Sequence, residues 1–269
     1  MVDRSVDGWR AGPLAKLALR PAAAEVLKSF NTWAFKREQP SDLALLERIV
    51  AEKMRRDEPI GFVLYWGKGP RPAIASPDLT CLDYLASMGR RIAATYPVGA
   101  HFTLCLTDTH ARLNGHSEPS IDSYFADVMR AARARCMDGV RLSVLVDHVS
   151  RSVTGPGAGS AASGGMTPPR DAAAMLDKLG VCAAKWYRGG DDAGEGARRY
   201  LAMNMIERVA VERHFADHIF VTFNGSAYRA LFPPSMPIFY MYSMRRGTSV
   251  KPWFVDADGR PYGGHTAFE

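Results

Sequence analysis

Between Gly61 and Ser150, three apolar runs alternate with two amphipathic stretches of helical length, and this order constrains the fold more than any other feature. The runs are Gly61–Gly69, Ala100–His110 and Val140–His148. Each reads as a buried strand that delivers polar residues at its C-terminal end. Between them, Leu79–Tyr96 places Leu82, Leu85 and Ile92 on one helical face. Ser120–Met137 does the same with Ile121, Tyr124, Phe125, Val128 and Met129. A β-α-β-α-β order with short links predicts parallel pairing and a mostly parallel α/β sheet flanked by helices. In such a sheet, ligands bind outside the carboxyl ends of the strands. Lys68, Asp108, His110, Asp147 and His148 would then share one rim.

The rest of the chain fits around that unit as a single domain. Residues 1–40 read as a helical N-terminal extension with a partly disordered start, and residues 41–269 as the α/β domain. Within the latter, Ser41 is placed to cap a helix whose apolar stripe is Leu43, Leu46, Ile49 and Val50. A Gly/Ser-rich loop is expected at 150–169, long enough to be a lid or an insertion. Helices follow over Asp171–Trp186 and Arg198–Phe215. Two more strands are expected at His218–Phe223 and Pro237–Tyr242.

Composition excludes several classes. The chain has 269 residues, 47% of them apolar and 23% charged, an ordinary balance for a globular protein. No apolar run is long enough to span a membrane. The N-terminus has no apolar secretory core, and the four cysteines show no C-x-x-C pairing, so a reduced cytoplasmic protein is expected. The net charge of +6 is dispersed, which suits a small anionic substrate better than nucleic acid. Walker, G-x-G-x-x-G, G-x-S-x-G and kinase motifs are all missing.

Three clusters remain as candidate sites. Asp108, His110, Asn114 and His116 follow the second run, where a histidine could exchange protons near neutral pH. Asp147 and His148 end the third. Arg245, Arg246 and Lys251 lie beyond the last strand, and Lys68 sits in a Gly-Lys-Gly turn. These cations suit carboxylate or phosphate. The irregular spacing of Asp108, His110 and His116, and the lack of an H-E-x-x-H arrangement at His214 and His218, argue against a metal centre. Glu207 lies in a helix where inward and outward orientations are equally compatible with the pattern. If inward, it would need a partner.

The stretch from Phe62 to Arg133 resembles the pyoverdine/dityrosine biosynthesis family, which includes the isocyanide synthases. The shared pattern is a Phe-Val-Leu strand, a Pro/Lys-rich loop (Lys68–Pro77), Pro77-Asp78, and the helical run Cys81-Leu-Asp-Tyr-Leu. It continues with Ile92, Tyr96, Gly99 and Ala100, an Asp-bearing strand tip at Asp108, and a helix with Asp122 and Tyr124. Ala227–Tyr242 fits it more weakly. The resemblance implies a Rossmann-like α/β domain and an enzyme that converts an amino-acid amine to an isonitrile, with ribulose 5-phosphate as carbon donor. No resident cofactor is expected. That chemistry needs a phosphate site, a carboxylate site and proton shuttles. Lys68, Asp147, Arg245, Arg246 and Lys251 are expected to bind substrate, and Asp108, His110 and His148 to move protons. Another amino-acid-modifying transferase, or a non-catalytic binder of small anions, would fit the same residues. The oligomeric state is not legible.

Overall fold

The computed structural model describes residues 13–67, 69–154, 172–190, 192–241, 243–245 and 248–250. Five parallel strands form one sheet in the order β3-β2-β1-β4-β5. They are β1 (Ile60–Trp66), β2 (Ala100–Leu106), β3 (Asp138–Arg141), β4 (Ile219–Thr222) and β5 (Ile238–Tyr240). The fold class expected from the alternation is the one observed, Rossmann-like with helices on both faces.

Strand alternation divides the core into two. Phe62, Leu64 and Trp66 of β1 face one side, with Phe102, Leu104 and Leu106 of β2 and Ile219 and Val221 of β4. This side is covered by α1 (Pro13–Phe30), α2 (Leu43–Arg55), α3 (Ser76–Ala93) and α5 (Glu118–Arg133). Val63, Cys105, Phe220, Ile238 and Tyr240 face the other, under α6 (Leu142–Thr154), α7 (Ala172–Trp186) and α8 (Ala193–His214). A short helix, α4 (Asp108–Leu113), follows β2 directly, and a 3₁₀ turn spans Ser226–Leu231. A separate hairpin pairs β6 (Ser243–Arg245) with β7 (Thr248–Val250).

Several local expectations are corrected. The third strand is short: its ladder with β2 ends at Leu106↔Arg141, and Leu142–Thr154 is helix. Asp147 and His148 therefore lie on α6, not at a strand tip. Asp42, not Ser41, caps α2, its carboxylate accepting from the Leu45 N–H at 2.8 Å. The Ser41 hydroxyl instead accepts from the Ile238 N–H. Within α2, Leu43 is exposed and Lys53 joins the buried stripe, where it meets Asp217 at 2.5 Å and Glu58 at 3.0 Å. The N-terminal segment is tied to the sheet, because the ring of Phe30 is fully buried against Phe62 and Phe239. The Gly/Ser-rich loop lies, beyond Thr154, outside the described residues. No described helix is long and apolar enough to cross a membrane.

Candidate active site at the carboxyl rim

The C-terminal ends of β1 and β2 are locked together where the Thr107 hydroxyl donates to the Trp66 carbonyl at 2.9 Å. One residue later, α4 begins with Asp108, which is fully buried. Its carboxylate accepts from the Ser143 N–H (3.1 Å) and hydroxyl (2.5 Å) and from Arg112 Nη1 (3.0 Å). Arg112 also grips Glu118 at the head of α5. Asp108 thus ties the start of α6 to the start of α4 and has its acceptor sites occupied by these partners.

One turn of α4 points the next polar residues toward α8. On α8, the inward stripe is Tyr200, Asn204, Glu207 and Val211 at helical spacing. Glu207 is 1% exposed. It accepts from the Thr109 hydroxyl through one oxygen, and its other oxygen stands 3.0 Å from His110 Nε2. The imidazole lies nearly parallel to the Tyr200 ring, with centroids 5.6 Å apart, and the Tyr200 hydroxyl donates to Asn114. Beneath α8, β1 contributes Tyr65 and β2 contributes Cys105.

Electrostatics follow from this burial. Burial alone would lower the His110 pKa, but the charge and hydrogen bond of Glu207 outweigh it, and the net shift is upward. Burial pushes the Tyr200 phenol up to about 12. Burial and the Glu207 charge raise both the Tyr65 phenol and the Cys105 thiol, so both stay protonated near neutrality. With the two phenols and the thiol held protonated, His110 is left as the cluster's candidate proton carrier, its charged form favoured by Glu207.

The structure brings together part of the expected set. Asp108 and His110 are at the rim, and His116 lies beside the loop after β1, where a side chain on Gly69 would meet its Nε2 at 3.3 Å. Asp147 and His148 are exposed on α6. His148 meets His214, the last residue of α8, ring to ring at 5.3 Å, and β4 starts just beyond it. That places His148 toward the opposite end of the sheet from His110. Arg245 ends β6, while Lys68, Arg246 and Lys251 lie outside the described residues. No group of three metal-ligating side chains occurs among the described residues. Nothing in the sequence pointed to Tyr200 or Tyr65 as part of the site.

The strand order, the helices on both faces and the polar cluster at the carboxyl ends define a Rossmann-like α/β protein with its candidate site at the rim. Neither a family model nor a curated protein matches the sequence. Among solved structures, the chain is similar to the PvcA protein of Pseudomonas aeruginosa, with a TM-score of 0.55, 15% identity, and 86% of this chain and 87% of that one covered. The likeness is one of fold. The tyrosyl-tRNA synthetase of Archaeoglobus fulgidus, solved with L-tyrosine, is similar at a TM-score of 0.39 and 12% identity, covering 81% and 63% of the two chains, which supports no correspondence of residues.

Proposed function

We propose that the protein is a biosynthetic enzyme that modifies an amino acid, forming an isonitrile with a sugar phosphate as carbon donor. The observation that carries this reading is the buried Glu207–His110 pair at the carboxyl rim of a sheet whose fold is like that of PvcA. An amine and the ketone of ribulose 5-phosphate first condense. One C–N bond forms, the ketone oxygen leaves as water with the two amine protons, and an imine remains. A group that lends a proton to the departing oxygen and recovers it from the nitrogen accelerates both halves. We assign this role to His110, with the charge of Glu207 favouring its protonated form. Asp108 acts as a positioning residue that fixes α4 and α6 around the site.

The test is to incubate the purified protein with each proteinogenic amino acid and ribulose 5-phosphate. Borohydride trapping of the imine and the infrared stretch of the isonitrile are the readouts. One amino acid should give both signals, and His110→Ala should reduce turnover about 10²-fold or more while leaving substrate affinity largely intact. An amino acid bound without any imine or consumption of the sugar phosphate would replace this reaction with another transferase activity or a binding role.

A further inference from the structure

Five residues stand level across the sheet just short of its rim. The registers set Val140 beside Cys105, Cys105 beside Tyr65, and Thr222 beside Tyr240. Continuing Leu64↔Val221 by one residue brings Tyr65 level with Thr222. In parallel strands, level residues share a face, here the face under α8. Three of the five carry hydroxyls in a row where the strands otherwise deliver apolar side chains. The row crosses the point where the strand order reverses, between β1 and β4, the usual crevice for a ligand in such sheets.

Two buried polar atoms, the Tyr65 hydroxyl in this row and Nε of Arg208 on α8, have no hydrogen-bond partner among the described residues. Arg208 spends Nη1 on the Ala230 carbonyl at 3.0 Å. Glu212, one turn further along α8, accepts instead from the N–H and hydroxyl of Ser235. The Nε edge of a guanidinium is half of the fork that fits two oxygens of a carboxylate or phosphate. The buried Tyr65 phenol, which feels the charge of Arg208 as well as those of Glu207 and Glu212, supplies one more donor. Leaving both without an acceptor is unfavourable, so the arrangement is complementary to an oxyanion.

We propose that Tyr65 and Arg208 form an oxyanion subsite at the β1/β4 crevice, which receives the carboxylate or phosphate of a small ligand. The inference deepens the reading above and rests on it for the candidate ligands. Its test is read by binding rather than turnover, so the two can fail separately.

Affinity is measured by calorimetry and thermal shift for the proteinogenic amino acids, the decarboxylated amines of leucine, phenylalanine and tyrosine, inorganic phosphate and ribulose 5-phosphate. Binding of an amino acid but not its amine assigns the subsite to carboxylate; binding of phosphate and the sugar phosphate assigns it to phosphoryl. In either case Arg208→Gln and Tyr65→Phe should each weaken that ligand about tenfold or more, while the exposed control Arg198→Ala leaves it unchanged. Tyr65→Phe removes one oxygen without changing shape, so it remains informative if Arg208→Gln does not fold. If no oxyanion binds the native protein, or if Tyr65→Phe raises the melting temperature with affinity unchanged, the subsite does not exist and the crevice is closed by packing or water.

Discussion

The imidazole of His110 is pulled two ways, by burial that favours the neutral ring and by Glu207 that favours the charged one. Because its folded pKa is raised, the pair's contribution to stability is full below the ordinary histidine value of about 6.5 and is lost as pH rises through the folded pKa. Glu207→Gln should reverse the balance. The His110 pKa, followed by NMR of the ring, should fall below its ordinary value, and the alkaline loss of stability in urea titrations should disappear. A ring that titrates unchanged in this variant would show that Glu207 does not control it. From sequence, His110 was legible because histidine after a strand is a recognisable proton carrier. Glu207 was legible only as a question, since its partners Thr109 and His110 come from a helix nearly a hundred residues earlier in the chain. Tyr65 gave no signal, because a tyrosine inside an apolar run reads as core.

Elements place these residues, and two of the placements can be broken. Asp108 accepts from both the backbone and the side chain of Ser143. Asp108→Ala should cost about 1–3 kcal/mol by leaving those buried donors without an acceptor, measured by urea denaturation. Gly61 of β1 lies under the ring of His218, and a Cβ there would sit 2.3 Å from its Cδ2. The ring cannot easily yield, since its Nδ1 meets Asp217 at 2.7 Å and Asp217 meets Lys53 at 2.5 Å. Gly61→Ala should cost about 1–3 kcal/mol, and His218→Ala in the same chain should restore part of it; a purely additive pair would refute the clash. The first two strands were legible because their apolar runs are bounded by Gly, Pro and polar tips. The third was legible in its place but not in its length, because Val-Arg-Leu-Ser-Val-Leu-Val suits a strand and an amphipathic helix alike. What decides it is how far β2 extends to pair with it, and that is not a property of the run itself.

At the scale of the whole molecule, the N-terminal helix completes one of the two cores. Phe30 is wholly buried and touches rings from β1 and β5, so Phe30→Ala should destabilise the protein by about 3–5 kcal/mol in denaturant titrations. A loss under 1 kcal/mol would make α1 an appendage. The α/β class followed from the alternation alone, but the position of β4 beside β1 did not, because nothing local links strands so far apart in sequence. That position has a kinetic meaning. While the chain is being made, β1, β2 and β3 can pair among themselves, but β1 keeps one unpaired edge until residues 219–222 arrive. A nascent chain that stops short of these residues therefore carries an exposed edge and only one wall of the crevice between β1 and β4, and a ligand that fills the crevice would favour the closed sheet by mass action, as a folding template.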